Sequence, residues 1–224
     1  MNYKKMIPKI IHQTYKEVVN LPPVYKQCQI KIQALHPEWE YKFWTDADMY
    51  IEVRESFPDL YPVFMRLPRK ILQIDVFRYC LMWKYGGLYA DLDYKFVKAF
   101  DLLDNRVILP ISRQNSSGRC RFGNCIFASE PGHPFWRYVL DDIIKNTDRL
   151  TLSTDSDVMD SPNGTGPGFV TRMYYEIPDE VRAGIMSPSR LVFHPPSGSS
   201  SEDLERYGSY GVHLCTSLWV NGAL

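Results

Sequence analysis

The stretch KYGGLYADLDYKF, residues 84–96, places Asp91 and Asp93 inside an apolar run directly after a glycine pair. The clearest helical pattern of the chain leads into it. In PRKILQIDVFRYCLMWKYGG, residues 68–87, Pro68 suits a first helical turn and no breaker interrupts Ile71 to Tyr85. Apolar residues lie on more than one side, so the helix is expected to be well buried. Gly86 can supply a left-handed exit. Strong β formers at both ends of LYADLDYKF then predict a strand over 88–96.

Toward the N-terminus, IPKIIHQTY (7–15) reads as a first strand ending in a polar loop at Gln13 and Thr14. In PPVYKQCQIKIQALHP (22–37), Val24, Cys28, Ile32 and Leu35 recur at helical spacing and Pro37 closes the run. WEYKFWTD (39–46) alternates as a second strand, with Thr45-Asp46 beginning a cap. Residues 47–67 suggest short helices broken by Pro58 and Pro62.

Toward the C-terminus, RVILPIS (106–112) predicts a strand and SRQNSSGRCR (112–121) a mobile polar loop. A strand, a turn and a helix from Pro134 follow in 122–146. Residues 148–168 are breaker-rich and read as a long loop. FVTRMYYEI (169–177) resumes helix. RLVFHPP (190–196) and YGVHLCTSLW (210–219) read as short strands around a flexible linker, 195–209. Alternating strands and helices imply one α/β domain over 1–224, with a mostly parallel central sheet and helices on both faces.

Composition narrows the function. The 26 Lys and Arg balance 26 Asp and Glu. No global field recruits nucleic acid or an anionic membrane. The spacing of Cys28, Cys80, Cys120, Cys125 and Cys215 fits no zinc pattern, and their odd number favours free thiols in a reducing compartment. MNYKKMIPKIIHQTYKE contains neither a signal peptide nor a membrane span. The expectation is a soluble cytoplasmic protein, unless an anchor lies outside this chain.

In a strand, residues two apart face the same way, so Asp91 and Asp93 would share a face. Carboxylates so placed repel and resist burial. A divalent cation resolves both problems, and oxygen ligands suit Mg²⁺ or Mn²⁺. A solvated strand end would carry the same pair, so the flanking sequence must decide. Asp75 and Arg78, three apart, share a side of the helix. They fit either a structural ion pair or a ligand site.

The flanking blocks resemble the sugar-binding-region glycosyltransferases with a DxD motif. That family includes initiating α-1,6-mannosyltransferases and capsular polysaccharide transferases. The resemblance rests on IPKIIHQTY, WEYKFWTD, IDVFRYCLMWKYGGLYADLDY, NCIFASEPGHPFW, GPGFVT and HLCTSLW, which span nearly the whole chain. Tyr15 stands where tryptophan is usual, and Ile74 where a small residue is common.

The resemblance implies a GT-A fold of Rossmann-like type. It also implies a retaining, Mn²⁺- or Mg²⁺-dependent transfer of a hexose from a nucleoside diphosphate sugar to a glycan hydroxyl. A UDP-sugar is favoured, GDP-mannose also fits, and a protein acceptor is conceivable. The implied catalytic set is Asp75, Arg78, Asp91 and Asp93. Asp93, His213 and Asp91 would hold the metal. Ile11, His12, Gln13, Thr14, Gly87, Asn124, Ser217 and Trp219 would join Asp75, Arg78 and Asp91 around the donor. Such compact forms suit a bacterium or a large DNA virus. Two other readings stay open: an inactive glycan-binding domain on the same fold, and a nucleotidyltransferase. No Gly-Lys-Ser/Thr phosphate loop supports a phosphotransferase.

Overall fold

The computed structural model describes residues 6–152 and 161–216. Its first half alternates as the sequence predicts: β1 (Ile10–Thr14), α1 (Pro23–Leu35), β2 (Glu40–Trp44), α2 (Asp46–Ser56), α3 (Tyr61–Arg66), α4 (Lys70–Lys84) and β3 (Gly87–Ala90). Thr45 caps α2 in a capping box with Asp48. Next come β4 (Tyr94–Phe96), β5 (Val107–Ile108), β6 (Ile111–Gln114), β7 (Cys120–Phe122), β8 (Ile126–Ser129), α5 (Pro134–Lys145) and α6 (Thr147–Leu152). The described C-terminal part adds α7 (Pro167–Glu176), α8 (Asp179–Arg182), β9 (Ile185–Met186), α9 (Arg190–Phe193), α10 (Ser201–Arg206) and β10 (Gly211–His213).

The main sheet has six strands in the order β2-β1-β3-β8-β5-β9. The β1–β2, β1–β3 and β5–β9 pairs are parallel, and β8 runs antiparallel to both its neighbours. Side-chain alternation divides the core between two faces. Tyr89, Val107 and Phe127 pack with Phe77 of α4, Trp136 of α5 and Phe169 of α7. Leu88, Ile108 and Ile126 point the other way, toward Ile32 of α1 and Phe193 of α9. Strands covered on both sides read as continuous apolar runs, which is why β3 and β8 do.

The turn from α4 into β3 depends on Gly86. Its φ is +65°, and its N–H bonds back to the Leu81 and Met82 carbonyls. A Cβ there would lie 2.6 Å from the Ser129 carbonyl oxygen, so only glycine fits.

Several expectations are corrected. The strand predicted over 88–96 is two strands. β3 leaves the main sheet at Ala90, the chain turns with Tyr94 N–H donating to the Asp91 carbonyl, and β4 pairs instead with β10. The strand at 106–112 is likewise divided, since Pro110 has no N–H to continue a ladder. SRQNSSGRCR is not a loop throughout: β6 and β7 form a hairpin whose turn is closed on the Asn115 side chain. The long loop begins with helix α6. RLVFHPP holds helix α9, because burial of Phe193 outweighs the β propensity of so short a run. The linker expected to be flexible holds α10, capped by Ser200 and Asp203.

Candidate active site

The aspartates of the opening stretch sit at the corner between the two sheets. Their nearness comes from a tight turn and not from strand alternation. Asp91 N–H donates to the Cys125 carbonyl at 2.7 Å, which ties the corner to the chain just before β8. Asp93 is held from the C-terminal side. The Thr216 N–H and hydroxyl both donate to its Oδ2 at 3.0 Å, and Leu214 N–H donates to its carbonyl at 2.9 Å. Tyr25 on α1 braces Thr216 at 2.9 Å.

His213, on β10, brings Nε2 to 2.9 Å from Asp93 Oδ1. One ligand atom from each of Asp91, Asp93 and His213 lies within 4.8 Å of the others. Burial raises the Asp93 pKa, but the bonds from His213 and Thr216 outweigh it and hold the carboxyl below its ordinary range. Burial opposes the His213 imidazolium, yet neighbouring Cys125 and Asp93 favour it strongly. The corner thus already draws positive charge to Nε2. Two carboxylates and an imidazole converging on one point suit Mn²⁺ or Mg²⁺. Cation binding there would displace the His213 proton.

Behind this cluster lies a buried charge network. Arg78 is 5% exposed. It reaches Asp91 Oδ1 at 2.9 Å, Asp75 Oδ1 at 3.3 Å and the Asn124 carbonyl at 3.0 Å, and it lies over the Tyr89 ring. Its Nε is buried with no partner among the described residues. The Tyr89 hydroxyl donates to Asp91 Oδ1 at 2.7 Å. Asp75 accepts from Asn124 Nδ2 at 2.9 Å and from the Thr165 hydroxyl at 3.1 Å. Burial pushes its pKa up to about 6 even against Arg78, and burial likewise raises Asp91.

These groups meet a cleft of about 1050 Å³. Arg78, Asp91, Asp93, Asn124, His213 and Thr14 line it. Asp75 does not; at 1% exposure it lies behind Asn124 and Arg78. Ile11, His12, Gln13 and Gly87 also lie beneath the cleft and not on its surface. The His12 imidazole bonds the Gly86 carbonyl and Trp44 Nε1, while Gln13 donates to the Ala90 and Asp91 carbonyls. Their side chains therefore support the glycine turn and the aspartate corner. Ser217 and Trp219 fall outside the described residues.

His133 caps α5, accepting from Phe135 N–H. Tyr25, Tyr89, Thr165 and Thr216 were not singled out from the sequence. Tyr89 reads there only as a β former, and nothing local marks the others, because each acts on a residue far away in the chain.

Residues 22–111 match the profile described as a glycosyltransferase sugar-binding region containing a DXD motif, and this span includes Asp75, Arg78, Asp91 and Asp93. The mannosyl phosphorylinositol ceramide synthase of Saccharomyces cerevisiae is 30% identical over 195 residues, covering 85% of this chain and 49% of its own. Inositol phosphoceramide mannosyltransferase 3 of Schizosaccharomyces pombe is 31% identical over 170 residues, covering 76% of this chain and 45% of its own. An initiation-specific alpha-1,6-mannosyltransferase of Candida albicans is 26% identical over 208 residues, covering 77% and 53%. The chain thus spans about half the length of these curated relatives. Among solved structures, the glycosyltransferase domain of the YGT toxin superposes with a TM-score of 0.62 at 9% identity, covering 82% of this chain and 80% of that one. The PaToxG glycosyltransferase gives 0.59 at 17% identity, covering 79% and 73%. The fold is therefore the GT-A fold, and residues 22–111 of the chain carry the sugar-binding region with a DXD motif that defines a family of glycosyltransferases.

Proposed function

We propose that this protein is a metal-dependent, retaining glycosyltransferase that moves a hexose from a nucleoside diphosphate sugar to a hydroxyl of a glycan or glycolipid head group. The carrying observation is the Arg78 network. A buried guanidinium whose Nε has no partner among the described residues lines the cleft beside three convergent side chains able to hold a metal ion. The names of the relatives specify mannosyl transfer. GDP-mannose is therefore the first donor to test, ahead of the UDP-sugars favoured by the sequence reading.

Asp93, His213 and Asp91 would hold the cation. When bound, it neutralises charge developing on the leaving diphosphate. Arg78 supplies fixed positive charge near the reacting sugar, set in place before the substrate arrives. Asn124 offers hydrogen bonds to sugar hydroxyls. Asp75 is a positioning residue: it holds Arg78 and Asn124 and is not exposed to the sugar. The Thr14 backbone and side chain border the nucleotide side of the cleft.

The test is thermal stability with GDP-mannose, UDP-glucose and UDP-galactose, each with and without Mn²⁺, beside Asp93→Ala. A donor present at a hundred times its Kd stabilises by about 2.7 kcal/mol. For a chain of this size that raises the melting temperature by roughly 5–11 °C. The shift is expected only with Mn²⁺ and to vanish in Asp93→Ala. Folded protein that shows no Mn²⁺-dependent shift with any donor would refute the assignment. Glycan binding indifferent to Asp93→Ala would favour an inactive binding domain.

A further inference from the structure

One wall of the cleft has no part in the donor site. Thr14, Tyr15, Lys70 and Ile71, from the end of β1 and the start of α4, form the side where a parallel sheet takes a nucleotide. Another wall is built from Gly123, just after β7, and from His194, which ends α9. Two hydrogen bonds tie α9 to the aspartate corner. The hydroxyl of Tyr94, the residue after Asp93, donates to the Phe193 carbonyl at 2.9 Å. Tyr210 N–H, just before β10, donates to the Val192 carbonyl at 2.8 Å. The His194 ring is seated against Gly123. A Cβ there would lie 2.7 Å from Nε2 and 3.1 Å from Cε1, whereas the next atom, Ser112 Cβ, is 3.6 Å away. The φ of Gly123 is not positive, so it is the ring and not the backbone that needs a glycine. Asn124, placed above at the donor sugar, is the next residue, one Cα step of about 3.8 Å.

His194 Nε2 is buried with no partner among the described residues. The ring therefore meets the cleft with its other edge, which carries Nδ1. Leaving Nε2 dry and unpaired costs stability, and such losses gather at functional sites. Burial, together with the charges of His213 and Arg190, lowers the His194 pKa from 6.5 to about 4. At neutral pH the ring is thus uncharged, with one nitrogen a donor and the other an acceptor. A hydroxyl suits Nδ1 in either tautomer, because it can both donate and accept.

We propose that His194 is the acceptor-binding residue: its Nδ1 edge hydrogen-bonds a hydroxyl of a sugar or polyol acceptor, beside the hydroxyl that is glycosylated. The proposal rests on the glycosyl-transfer reading above and places its acceptor on the wall of α9 and Gly123. Seated there, the acceptor adjoins both Asn124 and the aspartate corner. The ring orients the acceptor, while bond making and breaking stay at the anomeric carbon of the donor.

The test follows histidine ring signals by NMR in the full chain with Mg²⁺ and GDP, titrated with methyl α-D-mannopyranoside. The His194 signals, assigned by their absence from His194→Phe, are expected to shift, and those of the buried His12 to stay. His194→Phe is expected to raise the melting temperature, since it removes a dry polar atom, and to weaken the sugar about tenfold, the loss of one hydrogen bond. His194→Gln, whose amide can still bond a hydroxyl, is expected to recover part of that loss. All variants should keep the Mn²⁺-dependent shift with donor. Should His194→Phe fail to fold, Gly123→Ala is expected to push the ring aside and weaken the sugar to a similar degree. Unmoved His194 signals overturn the proposal. So does a lower melting temperature in His194→Phe with unchanged sugar affinity, which marks a ring that only fills space. Loss of the Mn²⁺-dependent donor shift in folded His194→Phe also overturns it, by placing the ring in the donor site. A wild type whose His194 signals respond to the sugar but which binds no donor refutes the transferase reading and leaves His194 as a sugar-binding residue.

Discussion

His12 shows how a residue beneath the site shapes it. Trp44 Nε1 donates to Nδ1 at 3.1 Å, so the ring proton sits on Nε2 and is donated to the Gly86 carbonyl at 3.0 Å. Burial lowers the pKa from 6.5 to about 4, because a second proton on Nδ1 would face an N–H in a dry interior. The sign follows from linkage. The unfolded chain takes up a proton below pH 6.5 and the folded one does not until about 4, so stability present above 6.5 is lost as pH falls toward 4. At about 1.4 kcal/mol for each pH unit, the loss is roughly 3 kcal/mol. Asp75, raised to about 6, acts in the opposite sense, since its folded state gains a proton first. The effect of His12 is therefore isolated by urea unfolding of the wild type against His12→Gln. The stability difference between the two is expected to shrink by about 3 kcal/mol between pH 6.5 and 4; a constant difference would exclude this account.

At the scale of elements, the short pair β4–β10 decides whether Asp93 and His213, the proposed metal ligands, meet. Gly211 stands opposite Phe96, and His213 opposite Tyr94. A Cβ on Gly211 would lie 2.4 Å from the Lys95 carbonyl oxygen and 2.7 Å from Tyr94 Cε1. Backbone cannot yield there without separating the two strands. Gly211→Ala is thus expected to draw His213 away from Asp93 and to weaken Mn²⁺ binding about tenfold, or ~1.4 kcal/mol. The main-sheet core should remain, because β10 belongs to a different sheet. Mn²⁺ titration followed by circular dichroism checks both parts; unchanged metal affinity would show that the pair is not what positions His213. Both segments read as strands from the sequence, but their pairing with each other was not legible there, whereas α4 was plain from its unbroken pattern and its glycine exit.

For the molecule as a whole, charge is balanced overall and uneven locally. Net charge is zero and the isoelectric point is about 6.9. Self-association measured by light scattering is therefore expected to peak near pH 7 and to fall at pH 8.5, where net charge keeps molecules apart. A flat profile would mean that patches, not net charge, govern association. Among the described residues, no helix is long and apolar enough to cross a membrane. The order of α4, the glycine pair and the two aspartates was determined by sequence alone, because helix period, breaker position and β propensity are local properties of the chain. So was the alternation of strands and helices in the first half. The tertiary structure alone decided that the aspartates sit at a corner between two sheets, that Asp75 holds Arg78 from behind, and that Thr216 and His213 close on Asp93 from 123 and 120 residues away. It also converted RLVFHPP to helix and SRQNSSGRCR to a hairpin. The physical reason is that burial, paired charge and strand pairing between distant segments are properties of the packed chain, and they outweigh propensities worth only a fraction of a kcal/mol per residue.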